Sequence, residues 1–151
     1  MTSFFKKLLS DNDVRLISAR IAEVENQTSG EIRLSIRHHR GWNEHKLSLR
    51  DLALKEFTHL GMHNTKDRTG VLILLLVSER KFQIIADEGI NAKVAEGTWD
   101  RVASSMTAFF KEGNFGQGIF DAVDAVGNEL KKNFPRKDDD RNELSNEITE
   151  R

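Results

Sequence analysis

The chain contains no cysteine. That absence excludes disulfides, thiolate zinc sites, iron–sulfur clusters and cysteine nucleophiles together. Long hydrophobic runs are missing too. The longest, Val71-Leu72-Ile73-Leu74-Leu75-Leu76-Val77, has seven residues, against about 20 for a membrane-spanning helix. Nor does charge of one sign dominate: 23 Lys and Arg stand against 24 Asp and Glu, a net charge of −1. Such a balance gives no general attraction for nucleic acid or an anionic membrane. No export signal is expected either. In Phe4-Phe5-Lys6-Lys7-Leu8-Leu9 the lysines sit inside the apolar stretch, whereas a secretory signal places charge first and then a clean apolar run of about 7–15 residues. The sequence therefore reads as a cytoplasmic chain with no transmembrane segment. Its first residues are expected to pack on their own domain, with an amphipathic helix lying on a membrane as the alternative.

What is present suits one domain. A chain of 151 residues buries roughly 68–70% of its extended surface, enough for a core without staples. Asp11 or Asn12 is expected to cap a first helix carrying Val14, Ile17, Ile21 and Val24 at helical spacing. Glu31-Ile32-Arg33-Leu34-Ser35-Ile36-Arg37 alternates strictly and reads as a half-covered strand. Leu49, Leu52, Ala53, Phe57 and Leu60 mark a helix that stops at Gly61. The seven-residue apolar run is covered on both faces and so forms the central strand. After the polar turn Ser78-Glu79-Arg80-Lys81, Phe82-Gln83-Ile84-Ile85-Ala86 returns as a third strand. Two more helices follow, one from Thr98-Trp99 to Gly113, and one carrying Ile119 to Phe134 that ends at Pro135. Residues 1–135 thus form one α/β domain in the order α-β-α-β-β-α-α, a small mixed sheet with covering helices. Residues 136–151 are charged, lack an apolar period and are expected to be a flexible tail.

The topology gathers charge. Strands one and two, joined through a helix, should run parallel, and strands two and three, joined by a short turn, antiparallel. If Val77 pairs with Phe82, Asp87 faces Leu72 and Gly89 faces Gly70. Three segments then meet at one edge: Thr28-Ser29-Gly30-Glu31, Asp67-Arg68-Thr69-Gly70 and Asp87-Glu88-Gly89. Asp100, near the start of the following helix, is expected to reach the same corner. Two carboxylates about 4 Å apart repel by roughly 4 kcal/mol at an effective dielectric near 20. The edge therefore needs a cation, a proton or an arginine. Carboxylates, a threonine hydroxyl and backbone carbonyls are hard oxygen donors that suit Ca²⁺ or Mg²⁺. In the other reading Arg68 neutralises Asp87 and the remaining acids are solvated. Residue types alone leave both open.

An ordered set of motifs resembles a known family. Thr28-Ser29-Gly30-Glu31-Ile32, Leu60-Gly61-Met62, Thr69-Gly70-Val71-Leu72-Ile73, Glu79-Arg80-Lys81, Asp87-Glu88-Gly89-Ile90, Trp99, Phe110-Lys111-Glu112-Gly113-Asn114-Phe115 and Gly118 fall in the order and spacing of the TPM-domain family, also called TPM phosphatases. The resemblance spans residues 12–135, and Asn142-Glu143-Leu144-Ser145-Asn146-Glu147-Ile148 is similar to the ending of short, unexported bacterial members. It implies an α/β/α sandwich, calcium or magnesium binding at the converging loops and, in some members, acid-phosphatase activity. Carried over residue by residue, Asp87 matches best, with Glu31, Thr69 and Gly70 beside it. Two departures stand out. Many relatives are exported and membrane-anchored, which sets an envelope role apart from this chain, and relatives often have Asn-Gly where Thr69-Gly70 stands here.

The expected metal ligands are thus Glu31, Asp67, Thr69, Asp87, Glu88 and Asp100. Phosphate-ester hydrolysis, if catalysed, would rest on Asp87 and Arg68, the arginine stabilising charge on phosphoryl oxygens. Ser29 and Thr69 have no base evident in sequence. Arg37-His38-His39-Arg40-Gly41 reads as a solvated basic loop, and His38, His39 and His45 as surface residues. Gly113-Asn114-Phe115-Gly116-Gln117-Gly118 follows a helix and fits neither nucleotide-binding glycine pattern, so it reads as a tight helix–helix connection. Trp99 reads as packing and Asp138-Asp139-Asp140 as a solubilising run. Two functions remain: a divalent-cation-binding domain with weak metal-assisted phosphatase activity, or a non-enzymatic module that binds a protein partner, the cation only stabilising a loop.

Overall fold

The computed structural model describes residues 7–136 and 148–150. The residues before Lys7, the Asp138-Asp139-Asp140 run and most of the expected tail lie outside the described residues. In chain order the elements are α1 (Asp11–Glu25), β1 (Glu31–Arg37), α2 (Leu49–His59), β2 (Gly70–Leu76), β3 (Lys81–Ala86), α3 (Glu88–Asn91), α4 (Thr98–Lys111), α5 (Phe115–Asn133) and β4 (Thr149–Glu150). The mixed sheet has the order β3-β2-β1-β4, with β1 and β2 parallel and β2 and β3 antiparallel.

Helices cover both faces of this sheet. On one face Ile32, Leu34, Ile36, Val71, Ile73, Leu75 and Ile84 pack with α1, α4 and α5 through Ile17, Ile21, Phe110, Ile119 and Val123. On the other, Leu72, Leu74, Leu76 and Ile85 pack with Leu52, Ala53 and Phe57 of α2, and with Met62. Every β2 residue is buried, which is why that strand is apolar at consecutive positions. Among the described residues no helix is long and apolar enough to cross a membrane.

Local chemistry sets the boundaries, in places differently from the sequence reading. Ser10, not Asp11 or Asn12, caps α1. Its hydroxyl accepts the Asp13 N–H at 3.0 Å and its own N–H donates to the Asp13 carboxylate at 3.0 Å, a reciprocal capping box. Ser48 caps α2 through the Asp51 N–H, and Gly61, at φ 70°, follows its end as expected. The glycine-rich connection is shorter than it reads, because α5 already starts at Phe115. Gly118 lies inside that helix, where an added Cβ would come 2.5 Å from the Phe110 ring, so the missing side chain lets α4 and α5 close together. Within the segment expected as tail, Thr149 and Glu150 add a short strand parallel to β1, with Ser35 opposite Thr149.

Candidate functional site at the sheet edge

The β2–β3 turn sets the register of the site. It takes four residues, Val77–Arg80, because Val77–Glu79 coil into a 3₁₀ turn and Arg80 adopts a left-handed backbone at φ 50°. Leu75, not Val77, therefore faces Phe82. The slip of two residues moves Asp87 opposite Gly70 instead of Leu72, and the Asp87 N–H donates to the Gly70 carbonyl at 2.9 Å. Gly89 no longer faces Gly70, and its N–H reaches the Arg68 carbonyl at 3.0 Å. Glu31 faces Gly70 on the other side. Glu31, Gly70 and Asp87 consequently lie in one row across the sheet end, with no side chain on the middle residue.

Asp87 is the best-tied member of this row. It is 7% exposed; Oδ1 accepts the Glu88 N–H at 2.8 Å as the cap of α3. Oδ2 accepts from Arg68 Nε at 2.7 Å. Arg68 Nη1 lies 3.6 Å from Glu88 Oε1, and the hydrogen bond to Asp87 holds the guanidinium pKa above its usual range. Arg68 itself sits at φ 57°, a strained backbone for a bulky residue and one that recurs where a site dictates the conformation. Its side chain is nonetheless 43% exposed. Close approach of two loops explains Gly89: a Cβ there would fall 2.2 Å from the Asp67 carbonyl oxygen and 2.6 Å from that of Arg68.

The remaining candidates separate. Thr69 is buried; its N–H donates to Thr65 Oγ1 at 3.0 Å and its carbonyl accepts the Glu31 N–H at 3.0 Å. Asp67 and Glu88 are exposed. Asp100 lines a cavity with Asn91 and Trp99, and no described hydrogen bond or ion pair joins it to Glu31 or Asp87. In donor type, the segment pair 67–70 and 87–89 fits a hard cation: it carries the carboxylates of Asp67, Asp87 and Glu88 and the two main-chain carbonyls packed against Gly89. In placement the full set does not. Glu31 and Asp87 stand two strand spacings apart, about 10 Å, while an ion such as Ca²⁺ draws oxygens to about 2.3–2.6 Å. Among the described residues no three Asp, Glu or His side chains gather to hold an ion. Arg68 already provides the positive charge at Asp87.

Two groups of charges escaped the sequence reading. Glu25, in the last turn of α1, is 1% exposed. Its Oε2 accepts the Ile32 N–H at 3.0 Å. Burial pushes its pKa up to about 8, the Ile32 hydrogen bond opposing and the neighbouring Glu31 adding to the rise, with Arg136 opposing. Helical spacing carried the signal, since position 25 follows Ile21 by four residues and Ile17 by eight, on the buried stripe. The second group is the supposed solvated loop. Arg37 is buried between Glu44 at 2.7 Å and Glu56 at 3.3 Å, and Lys55 reaches Glu44 at 2.9 Å. The Arg37 and Lys55 hydrogen bonds hold the Glu44 pKa down to about 2. Arg40 binds Glu79 at 2.6 Å and the Leu47 carbonyl at 2.6 Å. The loop is thus pinned from beneath, while Trp42 at its tip is 91% exposed. Trp99 is packed, and its indole N–H donates to Asn91 Oδ1 at 3.0 Å.

Comparison with known proteins agrees with this architecture. A family profile described as the TPM domain matches residues 3–129. The solution structure of the BA42 protein from the psychrophilic bacterium Bizionia argentinensis shares 37% identity over 94% of each chain, with a TM-score of 0.82. The N-terminal domain of a P. gingivalis protein superimposes with a TM-score of 0.70 at 22% identity, covering 84% of this chain and 79% of that one. The N-terminal domain of the cg2496 protein from Corynebacterium glutamicum does so with a TM-score of 0.60 at 12% identity, covering 81% and 74%. At those identities the last two show likeness of fold alone. No curated protein matches the chain.

Proposed function

The chain belongs to the TPM-domain family, and we propose that its sheet edge binds a divalent cation, Ca²⁺ or Mg²⁺, by exchange with the Arg68 guanidinium at Asp87. The observation that carries this reading is the Arg68–Asp87 contact at 2.7 Å. A buried carboxylate at the junction of two loops keeps a positive partner, and that partner is a half-exposed side chain screened by water. Displacing it frees the Asp87 carboxylate for an ion, with the Asp67 and Arg68 carbonyl oxygens packed against Gly89 two residues on and the exposed Asp67 and Glu88 on the same two loops. Glu31 and Asp100 take no part in this smaller site.

Melting the protein with added CaCl₂ or MgCl₂ tests the proposal. Binding to the folded state raises Tm with ion concentration by mass action, and Asp87→Asn removes the rise. An unchanged Tm in millimolar Ca²⁺ and Mg²⁺ contradicts it.

The second reading, a protein-binding module without catalysis, draws support from the same contact, since Arg68 lets the edge stand with its charge already balanced. Single-turnover release of phosphate from a model phosphoester separates this module, its cation only stabilising a loop, from a metal-assisted phosphatase built on the same cation. Release that needs both the cation and Asp87 supports a phosphatase, and cation binding without release supports the module.

A further inference from the structure

A cavity of about 480 Å³ opens beside the end of β3, at the edge of the sheet. Its base is formed by the end of β3 and the Trp99 ring, and most of the remaining lining is polar. Ile84, Ala86 and Trp99 line it, and Asn91 ties the last two together, its Nδ2 donating to the Ala86 carbonyl at 2.8 Å and its Oδ1 accepting from the Trp99 indole at 3.0 Å. The rim carries opposite charges from different layers. Arg50 comes from α2, which packs on one face of the sheet, and Asp100 from α4, which packs on the other, with Glu96 just before α4. All three are exposed, and none makes an ion pair with a described residue. Arg68, Asp87 and Glu88 do not line this cavity, so its lining is distinct from the cation site.

We propose that this cavity binds a small zwitterion, a short peptide or amino acid with free termini, its carboxylate on Arg50 and its ammonium group on Asp100 and Glu96. Guanidinium and carboxylate form a directional, charge-assisted pair, and two carboxylates give the ammonium group more than one acceptor. A ligand with only one charge satisfies one bank and desolvates the other without return. A zwitterion satisfies both, with its body against the edge of the Trp99 ring that reaches the cavity. The volume lies in the range of small-molecule sites, roughly 300–1,000 Å³, and exceeds what one amino acid fills, which favours a dipeptide.

Trp99 supplies the readout. Trp42 is replaced in a Trp42→Phe variant of the full chain, leaving Trp99 as the only indole. Its fluorescence is then titrated with leucyl-leucine, its N-acetyl derivative, its C-terminal amide, and free leucine. The expected result is saturable change with leucyl-leucine, with about tenfold weaker binding of either singly charged derivative. Free leucine, which has the same termini, separates an amino-acid site from a peptide site by its relative affinity. Arg50→Gln should weaken leucyl-leucine and abolish its advantage over the amide, and Asp100→Asn its advantage over the acetyl derivative. Both positions are exposed, and unchanged melting confirms that each variant folds. No saturable change with any probe, or equal binding of leucyl-leucine and its amide, overturns the proposal.

Discussion

Glu25 accepts the Ile32 N–H at 3.0 Å through one carboxylate oxygen, while the other, Oε1, is buried with no hydrogen-bond partner among the described residues. This places a carboxyl group that resists ionisation beneath the sheet edge, next to Glu31.

Stability should therefore depend on pH in a defined direction. Unfolded, Glu25 titrates near 4.5, and folded near 8. Between those values the folded chain keeps a proton that the unfolded chain has released. Its contribution is complete below about 4.5, declines as pH rises, and is lost above about 8. The total is on the order of a few kcal/mol. Glu25→Gln should flatten this slope and raise Tm above that of the parent at pH 8–9, as measured by calorimetry across pH. A slope that survives the substitution assigns the effect to another group.

Arg37 should behave as the keystone of the opposite sheet end. Truncating one partner of a buried ion pair leaves the others uncompensated, so Arg37→Ala should cost about 3 kcal/mol in chemical denaturation. Glu44, whose pKa is lowered to about 2, contributes stability above about 4.5 that disappears as pH falls through 2. Acid unfolding should accordingly begin at higher pH in the variant. Trp42→Ala, at the exposed tip of the same loop, should change stability by no more than about 0.5 kcal/mol.

Gly89→Ala probes the loop junction. Its Cβ meets two backbone carbonyls at 2.2 and 2.6 Å, and backbone yields less readily than a side-chain end. A loss of about 1–3 kcal/mol is expected, with amide shifts concentrated in residues 67–70. A variant as stable as the parent contradicts the close approach.

The features legible in sequence were those that periodicity and topology control. The unbroken apolar run at Val71–Val77 specifies a strand covered on two faces. Alternation in Glu31–Arg37 specifies a strand but misplaces its cover, since Glu31, Ser35 and Arg37 are buried as well as Ile32, Leu34 and Ile36. Parallel pairing then brings Glu31 to Gly70. The register of β3 was not legible, because Val77 is apolar enough to read as strand while Arg80 takes a left-handed backbone that no periodicity announces. Arg37 and Arg40 read as solvated because their partners, Glu44, Glu56 and Glu79, are seven to 39 residues away in sequence. Arg68 was the undecided residue, since its neighbours in sequence allow both a guanidinium and a metal at Asp87.

Calorimetric titration of Ca²⁺ into the parent, Arg68→Gln and Asp87→Asn tests the exchange most directly. Cation exchange at Asp87 requires measurable binding to the parent, binding several-fold tighter once the competing guanidinium is removed, and none without the Asp87 carboxylate. Weaker binding to Arg68→Gln than to the parent, or unaltered binding to Asp87→Asn, would contradict it.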